Sequence, residues 1–441
     1  MAEIIPFRGI FYNTDKINNL AEIITPPFDV ITEQERHDYY DRHPHNIIRL
    51  ILGKTHKTDT PDNNCHTRAS AFYESWLSRH ILIQDNSPAL YLTSVEFSLG
   101  KTLTTRYGLI ALVRLEPFEK GIVLPHEKTF SGVRSERLQL MKACHANFSP
   151  IFSLYSDNNN ILDSLKDSVS NKPAEIDFTD YADQRHRMWR ITDRRLHQFI
   201  SGAMQKGKVY IADGHHRYET SLSYRDWVSQ NNSDFSSGHP ANYVMMYLSS
   251  MEDPGLTILP AHRILKGIED SAISYFLKQT EEYFNIETIP FHGNGFKTSL
   301  ARLTRSLKLN ASKNAIGVFK KDSRKFYLLT LKPNIMKQKF GNELQASMQN
   351  LDVIVLTRII FMEILGFDQH RLDDEKLITY SSREEPAIDA VISGDCDITF
   401  LLNPTKIEQV RRIAEEGLIM PRKATYFYPK VITGLVLNRL A

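Results

Sequence analysis

Five consecutive residues, Asp213-Gly214-His215-His216-Arg217, combine side chains that can hold an anion and move a proton. A β-rich run, Lys208 to Ala212, ends at Asp213-Gly214, and a helical pattern runs from His216 to Val228. The first-turn N–H groups of a helix, with the macrodipole behind them, favour an anion. Gly214 permits a tight bend and close backbone approach. Arg217 can fork onto two phosphate oxygens. His215 and His216 can donate hydrogen bonds or carry protons near neutral pH. Asp213 can hold a magnesium ion or accept a proton from a substrate hydroxyl. A plainer alternative stays open: an ordinary Asp-Gly turn, with Asp213 as helix cap and two solvated histidines. Three basic groups at the positive end of a helix are unfavourable unless something negative sits there, which weighs towards an anion site.

Other residues can complete such a site. His126 and Glu127 lie side by side in Pro125-His126-Glu127-Lys128-Thr129, able to act as proton acceptor and metal ligand. Arg134 and Arg137 share one helix face and can meet an anion. Pro26-Pro27-Phe28-Asp29 sets a rigid extended chain that can present Asp29, unless Asp29 caps a helix beginning at Thr32. His262 and Arg263 sit at a strand end, where ligand contacts are common and solvated strand ends equally so. Lys423, Thr425 and Lys430 belong to an aromatic, proline-bearing tail too apolar to stay in water, so the tail is expected to pack back. A docking tail with exposed lysines is the competing view.

The elements that must position these residues are mixed in order. Arg68 to Leu82 has helical spacing, and Ala89 to Leu99 and Thr102 to Leu115 read as strands joined at Gly100. Pro150 to Tyr155 reads as a strand, Leu351 to Leu365 as a helix, and Ile398 to Leu402 as a strand. This order implies an α+β fold with mixed sheets. Three regions are expected: 1–155, carrying Asp29 and His126-Glu127; 156–332, a core with the Asp213–Arg217 turn; and 333–441, a C-terminal α/β region with the packed-back tail.

Composition narrows the function classes. The 441 residues are 41% hydrophobic and 24% charged, enough for a large core, and the net charge of +2 argues against nucleic-acid binding by bulk charge. Cys65, Cys144 and Cys396 form no CxxC pair, so neither a disulfide framework nor a zinc site is expected, and a reducing cytoplasm follows. The start shows no secretory pattern, and the apolar stretch Ile354 to Leu365 is too short and too charged to span a bilayer.

Ala212 to Glu219 resembles the signature of a bacterial domain-of-unknown-function family, DUF 1015. Pro6-Phe7-Arg8-Gly9, Thr25 to Val30, Asn46 to Leu50, Leu124 to Thr129, Asn147 to Phe152, Gly255 to Arg263 and Met420 to Lys430 match it in order. The family is similar to the ParB/sulfiredoxin-like superfamily, whose Gly-x-x-Arg turn at a helix start binds nucleotide phosphates. The free serine kinases of that superfamily carry Asp-Gly-His-His-Arg, which Asp213–Arg217 matches. The resemblance implies a nucleotide-binding core in the middle region and a cytoplasmic small-molecule kinase, with free L-serine the leading acceptor. ATP, ADP or pyrophosphate would be the donor and Mg2+ the cofactor, and a homodimer is compatible. His215 stands where sulfiredoxin has its reactive cysteine, which removes sulfinic acid repair. The roles that follow are Asp213, His215, Glu127 and Asp29 for catalysis, with Asp213 on the metal; Gly214, His215, His216, Arg217, Arg134, Arg137 and Lys423 for phosphate or nucleotide; and His126, His262 and Arg263 for substrate. A phosphate-ester hydrolase and a non-catalytic nucleotide-binding regulator remain as alternatives.

Overall fold

The strand Tyr243–Ser250 is buried at every position, as a strand covered on both faces must be. It lies inside the larger of two sheets. The computed structural model describes residues 1–129, 131–291 and 295–440, and the chain divides into two compact units, Met1–Thr257 with Pro429–Ala441, and Ile258–Tyr428.

Among the described residues the first unit holds a nine-stranded sheet. Its order is Val123–Leu124, Val209–Asp213, Ile151–Tyr155, Tyr243–Ser250, Thr102–Arg114, Leu90–Leu99, Arg185–Ile191 and Ile176–Thr179, with Ile4–Ile5 added beside Thr102–Arg114. Two pairings are parallel, Val123–Leu124 with Val209–Asp213 and Ile151–Tyr155 with Tyr243–Ser250, and the others are antiparallel. One core gathers Val209, Ile211, Ile151, Met246 and Leu109 of the sheet with Leu165, Ile200 and Tyr218. Those three come from the helices Ile161–Val169, Arg194–Gln205 and His215–Asn231. A second core, with Ile47, Tyr73, Trp76, Leu140 and Phe148, joins the helices Cys65–Ser78 and Ser131–Cys144. Residues near the end of the chain join this unit: Asn438 and Arg439 pair with Asn147 and Ala146, Leu437 with Ile10, and Thr433 with Thr25.

The second unit has a six-stranded sheet, ordered Phe284–Pro290, Lys325–Leu331, Ala315–Lys320, Ile398–Leu402, His262–Leu265 and Ile378–Ser381. Leu303 and Leu307 of helix Phe296–Leu309 and Ile388 of helix Glu384–Ile392 cover it.

The α+β class and mixed sheets agree with the sequence reading. The expected borders do not follow the compact units. Residue 155 ends a strand of the nine-stranded sheet whose neighbours come from both sides of it, and residue 333 falls among the strands of the six-stranded one. Strand partners distant in sequence decide this, and periodicity within one segment carries no record of them. The helix read over Leu351 to Leu365 forms as one short α-turn, Asp352–Val355, continuing as a π-helix, Leu356–Ile364. No described helix is long and apolar enough to cross a membrane.

Candidate functional site

The strand Val209–Asp213 carries a β-bulge before its last residue. Ile211 lies opposite Ser153, and Asp213 opposite Phe152, so Ala212 is the extra residue. Regular alternation would set Asp213 on the core face with Val209 and Ile211. The bulge turns it to the other face. Gly214 follows at φ 100°, and the helix His215–Asn231 starts there with no side-chain cap. A Cβ on Gly214 would stand 2.8 Å from Arg217 Nε, so the guanidinium lies directly over the glycine. Glycine is needed here twice, for its backbone angle and for the space.

Asp213 is held between two cations. Arg217 Nη2 donates to Oδ2 at 2.9 Å, and Lys430 Nζ donates to Oδ1 at 2.8 Å. The side chains of Asp213, Lys430 and Arg217 are 16%, 13% and 11% exposed, so this charge group is largely desolvated and carries an excess positive charge. Arg217 Nη1 also donates to the Pro150 carbonyl. Both ends of the expected phosphate fork are therefore engaged inside the protein, and in this structure Arg217 positions Asp213.

His215 is buried beside His126, their rings edge to face at 4.8 Å. Its Nε2 accepts the His126 backbone N–H at 3.2 Å, which puts the ring proton on Nδ1, 4.0 Å from Glu127 Oε2. Burial pushes His215 well below its ordinary value, helped by the His126 ring and opposed by Asp213. Burial likewise pushes His126 down to about 4, against a backbone hydrogen bond at Ile211 and the Asp213 charge. Both rings are neutral at physiological pH. His216 is half-buried in the same turn.

The helix Ser131–Cys144 packs along His215–Asn231 and brings two expected arginines to it. Arg134 Nη1 donates to Glu219 Oε2 at 2.6 Å, and Thr129 Oγ1 donates to the same oxygen at 2.6 Å. Arg137 donates to the Ile51 carbonyl, pairs with Glu136, and stacks its guanidinium 4.2 Å from the Phe28 ring centroid. Arg137, Arg217 and Phe28 line one cavity of about 60 Å3, with Asn147, Ser149 and Thr220. Buried in its wall are Arg217 Nε and Thr220 Oγ1, neither with a hydrogen-bond partner. Asp29 is exposed in the turn Phe28–Val30. It does not cap the next helix: Thr32 does, in a capping box with Glu35.

Three expected residues belong to the second unit. His262 is buried and accepts the Leu402 N–H on Nδ1 at 3.1 Å. Arg263 donates to the carbonyls of Ala261 and Arg422. Lys423 is exposed at φ 54°. The tail lysine that reaches Asp213 is Lys430, one of three tail residues the sequence offered. Glu219, which receives Arg134 and Thr129, stood inside the recognised motif without a role. Its spacing of one helical turn from His215 was the available signal.

Magnesium takes one or two carboxylates together with phosphate oxygens. Asp213 has a cation on each oxygen, so the residues present do not form a protein-held magnesium site, and no step is routed through one. Among the described residues no group of three or more His, Cys, Asp or Glu side chains could hold a metal ion.

The scaffold and site thus define an α+β protein in which a largely desolvated carboxylate, Asp213, lies between two cations at a helix start without a side-chain cap. Residues 4–354 match the family described as protein of unknown function, DUF1015, and the chain belongs to that family. No curated protein matches it significantly. Similar solved structures include a conserved hypothetical protein from Pyrococcus furiosus, 11% identical with a TM-score of 0.34 over 73% of this chain and 92% of that one. A free serine kinase in complex with AMP is 11% identical, TM-score 0.33, over 72% of this chain and 86% of its own. SbnI with C-terminal truncation, from Staphylococcus aureus, is 9% identical, TM-score 0.34, over 74% and 85%.

Proposed function

We propose that the Asp213–Arg217 turn binds the terminal phosphates of a nucleotide or pyrophosphate and transfers a phosphoryl group to a small hydroxyl compound, free L-serine first among candidates. One observation carries this: a single carboxylate, Asp213, between Lys430 and Arg217 at an uncapped helix start. The excess positive charge and the helix dipole act together on an anion placed there. Phosphoryl transfer needs mainly positioning and charge neutralisation, which this arrangement supplies without a Walker loop.

In this reading the first turn of the helix, from Gly214, receives the donor phosphates. Lys430 and Arg217 fix Asp213 so that it orients the acceptor hydroxyl. Glu127, close to the His215 Nδ1 proton, takes the hydroxyl proton as the new O–P bond forms and the donor's bridging P–O bond breaks. Glu127 is preferred to Asp29 as the base because it stands beside the turn. The protein would work in the cytoplasm, with any Mg2+ arriving on the donor.

The test is a product screen by 31P NMR. Serine, homoserine, threonine and inositol are each incubated with ATP, ADP and pyrophosphate in the presence of Mg2+. A phosphorylated acceptor from one pairing is the expected result. If no pairing yields a phosphate ester, the kinase reading fails.

A further inference from the structure

Arg106 is a charged residue in the middle of the sheet. It is 1% exposed, the largest of the fully buried side chains among the described residues. It occupies the same sheet face to which the bulge turns Asp213. Its Nε donates to the Tyr247 hydroxyl at 3.1 Å and its Nη1 to the Pro429 carbonyl at 2.8 Å. The guanidinium lies 4.7 Å from the Phe152 ring centroid, and Phe152 is the residue opposite Asp213 across the ladder. Gly108 makes room for the arrangement: a Cβ there would meet the Tyr247 ring at 2.0 Å.

No carboxylate among the described residues comes within ion-pairing distance of this cation. Asp253, which acts on the same Tyr247 hydroxyl, spends its oxygens on the backbone N–H groups of Tyr107 and Gly255. Asp180 is taken by His186 at 2.9 Å. A guanidinium has five N–H donors, and Arg106 uses only two of its own. A buried, uncompensated charge is costly, and ring contacts offset only part of that cost. Beside it lies a cavity of about 20 Å3, lined by Thr93, Val95, Arg106, His186, Tyr247 and Lys430. Lys430 is also the residue that pairs with Asp213. The cavity and the proposed phosphoryl-transfer site therefore share one side chain.

We propose that this cavity receives the carboxylate of the acceptor, with Arg106 and Lys430 as its two cations, so that the acceptor is a short hydroxy or amino-hydroxy acid. The cavity's size excludes a nucleobase and suits a small anionic end group. Arg106 and Lys430 would neutralise it, and the acceptor's hydroxyl would extend past Lys430 towards Asp213. The proposal takes the acceptor's identity from the phosphotransferase reading, but the binding it predicts requires no donor and no turnover.

The experiment is calorimetric titration of the full chain, without nucleotide, using 3-hydroxypropanoate and propane-1,3-diol. The acid is expected to bind at least tenfold more tightly than the diol. Arg106→Met should reduce acid affinity at least tenfold. Val95→Leu adds a methylene to the cavity wall while keeping Arg106, and should reduce it similarly, so it decides the matter if Arg106→Met does not fold. Equal binding of acid and diol, or undiminished acid binding in either folded variant, overturns the proposal. So does a thermal shift by chloride, lost in Arg106→Met, without a preference for the acid, since this would mark a simple halide site. Failure of the 31P screen with intact acid binding would remove the kinase reading alone.

Discussion

Two strands of this protein have a histidine and an arginine at or just beyond one end, and the protein uses them in opposite ways. In the first unit His215 and Arg217 follow a bulge and a glycine, at the open end of a long helix, with a carboxylate between two cations. In the second unit His262 and Arg263 sit within a strand paired on both sides, and backbone groups of Leu402, Ala261 and Arg422 occupy them. Residue type is shared, but the backbone around it differs. A sheet interior satisfies polar side chains with its own N–H and C=O groups. A helix start leaves donors unpaired and concentrates positive potential.

The contrast can be broken most forcefully at Gly214. Gly214→Ala forces a side chain into φ 100° and against Arg217. It should lower donor affinity and turnover at least a hundredfold and cost about 1–3 kcal/mol of stability, read by calorimetry with ADP and by denaturation. Wild-type affinity in the alanine variant would show that turn geometry is not what binds the donor.

Asp213→Asn comes next. Turnover should fall about a hundredfold, while donor affinity holds or improves because a negative charge is removed. Weaker donor binding would instead indicate that Asp213 grips a donor-borne cation, which would sharpen its role.

His126 tests the electrostatics of the same region. Its folded value, about 4, lies below the ordinary 6.5. The unfolded chain therefore takes up the proton first as pH falls. Stability is undiminished above 6.5 and is lost progressively down to about 4. At pH 5 this single residue accounts for about 2 kcal/mol. His126→Gln should flatten urea-derived stability against pH between 6.5 and 4, and an unchanged slope would assign the acid sensitivity elsewhere.

The smallest effect is expected in the second unit. His262→Gln should cost about 1–2 kcal/mol through the Leu402 N–H contact. Donor affinity should stay within twofold. A tenfold loss would make His262 part of the binding machinery and erase the distinction between the two strands.

Much of the first site was legible in the sequence because it is local. Asp-Gly followed by three basic groups and a helical pattern states a turn and an anion-favouring helix start within a few residues. The same residues resembled a known family, and the family is the one the chain belongs to. Thr32 with Glu35 is equally local, a capping box at the place where a cap by Asp29 stood as one of two alternatives. What the sequence could not show was how many partners each group already had. Arg217 looked like a free clamp, yet the Pro150 carbonyl and Asp213 hold it. Lys423 looked like the tail's contribution, yet Lys430 makes the contact.

The sequence by itself determined the α+β class, the hairpin at Gly100 and the turn at Asp213, since each depends on residues within one or two elements. Only the tertiary structure decided which face Asp213 occupies, which cations neutralise it, and that Arg106 lies buried on the same face without a counter-charge. Those outcomes depend on a one-residue bulge and on strands and a tail brought together from distant parts of the chain. The long-range pairing that places them is set by the packing of the whole sheet, and no single segment encodes it.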